Sequence, residues 1–87
     1  MARYILDGNN MTTLDALYDE LELVLNLPDY FGRNLDALEE CLAEIAEEEG
    51  SLTLVVKNAH VVEDALPEWE SFVEVFLGNP FLSLSTE

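Results

Sequence analysis

The chain has 87 residues, with 19 Asp and Glu against 3 Lys and Arg, a formal net charge of −16 at pH 7 and 49% hydrophobic residues. Charge alone does not leave a chain disordered, because that class also needs low hydrophobicity; this one should fold, and its length has room for one domain, taken as 1–87. So acidic a surface repels nucleic acid and anionic membrane, whose binding needs Lys and Arg to displace counterions, and the expected partner is cationic.

Cys41 is the only cysteine, so an internal disulfide is excluded. The opening residues MARYILDGNN lack the basic and apolar regions of a signal peptide. No apolar run approaches the roughly 18 residues of a membrane span. A soluble protein of the reducing cytoplasm, monomeric when free, is the expectation. Internal repeats and linkers are absent, and Glu47–Glu49 is the one low-complexity tract.

In chain order, Ala2–Leu6 reads as a short strand closed by the turn residues Asp7, Gly8, Asn9 and Asn10, after which Thr12 or Thr13 caps a helix. From Leu14 to about Leu25, the residues Leu14, Leu17, Leu21, Val24 and Leu25 recur at helical spacing, with Asp15, Asp19, Glu20 and Glu22 elsewhere on the wheel. Asn26–Arg33 is a connecting loop carrying two aromatics, Tyr30 and Phe31, and Asn34 can cap the next helix. That helix, about Leu35 to Glu48, puts Leu35, Leu38, Leu42 and Ile45 on one stripe with Cys41 beside it, and Gly50 ends it. Ser51–Lys57 suits a buried strand, and Asn58–His60 leads away from it. Val61–Asp64 adds one helical turn ahead of a further helix, with Pro67 in its first turn and Gly78-Asn79-Pro80 as its stop. Phe81–Ser85 is a last strand. The order β-α-α-β-α-β favours an α/β fold in two layers, with a parallel sheet and right-handed helical crossovers.

Asp36, Glu40 and Glu44 lie four residues apart and form a row on the solvent side of the second helix, broadened by Glu39, Glu47 and Glu48. Like charges at that spacing cost about 0.2–0.5 kcal/mol per pair in an isolated helix. The dipole favours acid at Asp36 and disfavours it at the far end, so local stability did not select the row. It is either a solvated face, as 19 acids on so small a surface must cluster somewhere, or a surface for a groove lined by Arg and Lys.

The run Leu27-Pro28-Asp29-Tyr30-Phe31-Gly32-Arg33-Asn34-Leu35-Asp36-Ala37-Leu38-Glu39-Glu40-Cys41-Leu42 closely resembles a segment of the barstar family, intracellular inhibitors of the secreted ribonuclease barnase. The resemblance implies a three-stranded parallel sheet in the order 1-2-3 packed with helices. It also implies a partner-binding set. Tyr30 and Gly32 match the binding turn, Asp36 and Glu40 match two helix carboxylates that enter the nuclease active site, and Asn34 matches as the helix cap. On this reading Glu40 occupies the phosphate pocket, with Asp36 beside it and Tyr30 stacking at the rim. Glu39 and Glu44 lie on the same contact face, where they replace the family's Trp and Gly. Glu40 stands for a shorter Asp, and Gly78 falls where a further acid is expected, so the cognate nuclease differs from barnase.

Other residues read as structural. His60 has no second His or nucleophile motif beside it, Cys41 is a small core residue, and Trp69, Phe72 and Phe76 recur at helical spacing. Glu47-Glu48-Glu49 lacks a calcium-loop pattern, so neither cofactor nor metal is expected. Three functions compete: inhibitor of a basic ribonuclease, acidic DNA mimic or adaptor for a basic nucleic-acid-binding protein, and an acid–base hydrolase using Asp36 and Glu40. The last lacks any visible pocket to raise a carboxyl pKa, and an inhibitor that is not an enzyme is the leading expectation.

Overall fold

The computed structural model describes residues 2–87. Three strands, β1 (Ala2–Asp7), β2 (Leu52–Lys57) and β3 (Leu82–Thr86), form a parallel sheet in the order β1-β2-β3. Four helices connect them: α1 (Leu14–Leu25) and α2 (Leu35–Glu49) between β1 and β2, then α3 (Ala59–Ala65) and α4 (Trp69–Leu77) between β2 and β3. The α/β class and the strand order both match the expectation from sequence.

The register aligns Leu52 with Ala2 and Leu82, so the alternation of the three strands is in phase. Leu6 of β1, Leu52, Leu54 and Val56 of β2 and Leu82 of β3 enter the core. There they meet Leu17 and Leu21 of α1, Leu38 and Leu42 of α2, and Phe72 and Phe76 of α4. Tyr18 sits among them, edge-on to Phe72 with ring centroids 5.4 Å apart. No helix among the described residues is long and apolar enough to cross a membrane.

The structure corrects the sequence reading at several places. Of the two candidate caps Thr13 is the one used, its hydroxyl accepting the Ala16 N–H at 3.1 Å, and the differences lie elsewhere. Leu14 is 41% exposed, whereas Tyr18 and Glu20 are buried with Leu17 and Leu21. Glu20 leaves the solvent face because its carboxylate accepts the Asp7 backbone N–H at the end of β1, 3.0 Å away. The helix after β2 is longer than the single turn expected at Val61–Asp64. It starts at Ala59, because Asn58 turns the chain in a left-handed conformation and Ala59 and Val62 have a core to enter. Pro67 stands ahead of α4 rather than inside it, in a turn closed by the Trp69 N–H on the Leu66 carbonyl at 3.1 Å.

The carboxyl ends of β1 and β2 are cinched at Gly8. A Cβ built there would lie 2.1 Å from the Asn58 carbonyl oxygen and 3.1 Å from that of Lys57, so only glycine permits this approach. The Asp7 carboxylate closes the same corner, accepting the Asn9 N–H at 2.9 Å and the Asn58 side-chain amide at 3.1 Å. These bonds, the Asn9 one foremost, hold its pKa below the ordinary value. Gly8→Ala should therefore cost about 3 kcal/mol, the upper part of the range for overpacking against a fixed neighbour. Urea unfolding checks it, and an unchanged midpoint would show that the corner yields.

Candidate functional site

The candidate residues lie on the turn between α1 and α2 and on the first three turns of α2. Asn26 ends α1 in the left-handed conformation, φ 53°. Pro28 then sets up a tight turn in which the Phe31 N–H reaches the Pro28 carbonyl at 3.0 Å. The two aromatics of this turn separate. Phe31, 8% exposed, packs against Tyr18 at 5.9 Å between ring centroids, whereas Tyr30 is 83% exposed. Phe31 anchors the turn and leaves the Tyr30 ring and hydroxyl facing water.

The same turn leads into α2. Asn34 is the N-cap, its side-chain oxygen accepting the Ala37 N–H at 2.8 Å. Its side-chain NH2 donates back to the Gly32 carbonyl at 3.2 Å. Gly32 belongs here for lack of bulk, since a Cβ would press on that Asn34 nitrogen at 3.1 Å. Asn34 thus has the capping role expected of it, and Gly32 and Asn34 form one bonded unit at the head of the helix.

Asp36, Glu39, Glu40 and Glu44 are all exposed. None of the four has an ion-pair partner among the described residues. The acids of α1 differ. Asp15, Asp19 and Glu22 gather around Arg33, whose Nε and Nη2 lie 2.7 and 2.6 Å from Glu22, while Nη2 also bonds Asp19 and Nη1 is 3.6 Å from Asp15. Arg33 thereby offsets part of the negative charge of α1, whereas Asp36, Glu39, Glu40 and Glu44 of α2 have no such cation beside them.

Leu35, Asp36 and Glu39 also border a shallow cleft of about 330 Å³ whose other wall is Ser71, Glu74, Val75 and Gly78 of α4 and its end. Gly78, where an acid was expected, carries no side chain into this cleft, but Glu74 one turn earlier adds a carboxylate to the wall. The pairing of α2 with α4 is a tertiary fact, so Glu74 could not be assigned from spacing alone. A second groove of about 600 Å³ continues from Glu39 and Gly78 past Leu42, Ala46 and Phe81 and is mainly apolar.

Cys41 is buried on the inward side of α2, as expected of a core residue. Burial raises its pKa first, and the negative charges of Glu44 and Glu40 raise it further. Because the folded value is raised, the neutral thiol's contribution to stability is complete below the unfolded pKa and is lost as pH rises through the folded one. At pH 8 Cys41 should react with a thiol reagent more slowly than an unfolded cysteine peptide, and Glu44→Gln should speed it. Equal rates in wild type and Glu44→Gln would remove the charge contribution.

In class this is a small parallel α/β protein whose distinguishing surface is a braced turn and an acidic helix bordering an open cleft. The chain belongs to the barstar family: the match to the family described as Barstar (barnase inhibitor) covers residues 1–78. It is also similar to a Bacillus subtilis (strain 168) protein named "Putative ribonuclease inhibitor YrdF", at 45% identity over 58 residues. That alignment takes in 67% of this chain and spans about 62% of the relative's own length.

Proposed function

We propose that this chain is a protein inhibitor of a basic ribonuclease of the small, secreted, barnase-like kind, and not an enzyme. The observation that carries the reading is the pairing of two features on one continuous segment. A bare Tyr30 is displayed by a turn anchored at Phe31, and carboxylates without cationic partners at Asp36, Glu40 and Glu44 follow on the adjoining helix. Carboxylates fixed on a helix resemble successive phosphates in charge and accept bidentate bonds from guanidinium groups. In a nuclease cleft they take the place of the RNA backbone.

In this reading Glu40 enters the phosphate pocket, Asp36 and Glu39 bind beside it, Glu44 extends the contact and Tyr30 covers the rim. Gly32 and Asn34 keep the turn close to the partner surface. The unit is a single domain that is monomeric when free and acts in the cytoplasm as a one-to-one plug, protecting RNA from a nuclease made for export. Family membership and the relative's name support the inhibitor role. The Asp36, Glu40 and Glu44 carboxylates, exposed and without a cation beside them, support the choice of face.

The test is affinity for a panel of small basic ribonucleases, barnase included. Asp36→Ala and Glu40→Ala should each weaken the complex by about 2–5 kcal/mol, the range for truncating one member of a buried interfacial charge pair, to which the barnase–barstar complex itself contributes. Tyr30→Ala should also weaken it, whereas Glu63→Ala, on α3, should not. Small, equal losses at every acid, with a steep fall in salt, would instead identify an acidic nucleic-acid mimic or adaptor binding through diffuse charge.

A further inference from the structure

The chain has three cations in all, and one of them is placed where it lowers the attraction to a basic partner. Arg33 stands between the exposed Tyr30 and the acids of α2, at φ 49°, in the left-handed region that non-glycine residues rarely adopt. Its side chain turns away from α2 and lies along α1, bonding Glu22 and Asp19 with Asp15 close by. The guanidinium carbon is also 5.9 Å from the centre of the Tyr18 ring. Tyr18 is the ring against which Phe31 packs, so charge and apolar contacts fasten the turn to the same stretch of α1.

The spacing is specific. Asp15, Asp19 and Glu22 are four and three residues apart, one face of α1, and without a cation between them they would repel one another. An ordinary surface pair holds little because one contact must order two long side chains. Here a planar fork bridges two carboxylates at once and joins two segments of chain, and Gly32 and Asn34 on either side are tied to each other through the Asn34 amide. Arg33 thus combines a left-handed backbone with side-chain contacts to a different element.

We propose that Arg33 is a positioning residue: it clamps the turn before α2 onto α1, and so presents Tyr30 and the head of α2 to the partner in one fixed arrangement. This rests on the reading that the turn and α2 are the binding face. Pre-ordering the turn removes an ordering cost from association and slows dissociation. Charge alone has the opposite effect, because removing Arg33 makes the protein more negative and should tighten its hold on a basic partner.

The two accounts therefore differ in sign. In the free protein, Arg33→Gln should raise hydrogen exchange about tenfold at the turn and at the Ala37 amide, with the β2 amides unchanged as proof of an intact fold. Against a ribonuclease bound by the wild type, Arg33→Gln should dissociate about tenfold faster. In a Tyr30→Ala background that difference should shrink to less than about twofold, since the clamp acts partly through Tyr30. Arg33→Gly, which relieves the backbone strain, should leave the turn as loose as Arg33→Gln does. Unchanged exchange at the turn in both variants, or dissociation that is unchanged or slower, would overturn the proposal. If the wild type bound no ribonuclease of the panel, the proposed function would fall, and with it the part assigned to Arg33 in binding, while the exchange measurement would still decide whether Arg33 holds the turn.

Discussion

Parallel pairing of β1 with β2 sets where everything else goes. Parallel neighbours cannot be joined by a tight turn, so the chain after Asp7 must cross back over the sheet before Leu52, and it does so as α1 and α2. Two helices in one crossover leave a turn between them, and that turn carries Tyr30. Cinching β1 to the end of β2 at Gly8 and seating Glu20 on the Asp7 amide fix the start of the crossover. The Asn34 cap and the buried Leu38 and Leu42 fix its second half. The exposed acids of α2 thus stand on a capped and packed helix, with Tyr30 on the turn that leads into it.

Charge is the second constraint, and it is distributed rather than merely large. With a formal charge of −16 the compact state works against self-repulsion. On α1 the repulsion is relieved from within by Arg33. At Asp36, Glu40 and Glu44 of α2 it is not: they follow one another toward a C-terminus whose dipole disfavours acids, in a helix that local energetics would have built otherwise. A surface that gives up local stability in this way gains when an external cation neutralises it, and Cys41 beneath, its pKa raised first by burial, is raised further by Glu44 and Glu40 of the same row.

Much of this was legible in the sequence. Helical spacing of apolar residues placed α1 and α2 to within a residue or two, and the Leu27–Leu42 segment pointed to the turn, the cap and the acids as the candidate site. What escaped depended on distant chain. Nothing local marks Glu20 as buried, because its partner is a backbone amide thirteen positions earlier. Arg33 looked like a loop residue until α1 was folded against it, and Glu74 joined the acidic cleft only because α4 packs beside α2. The start of α3 at Ala59 was hidden by Asn58, whose left-handed backbone begins a helix without a side-chain cap.

Inhibition itself is tested most directly by titrating the chain into a fixed amount of a basic ribonuclease of the panel and following cleavage of an RNA substrate at physiological salt. A plug that fills the active site should abolish cleavage at one molecule per nuclease, with a sharp break at equivalence. Full cleavage of RNA at excess chain, across the panel, would contradict it.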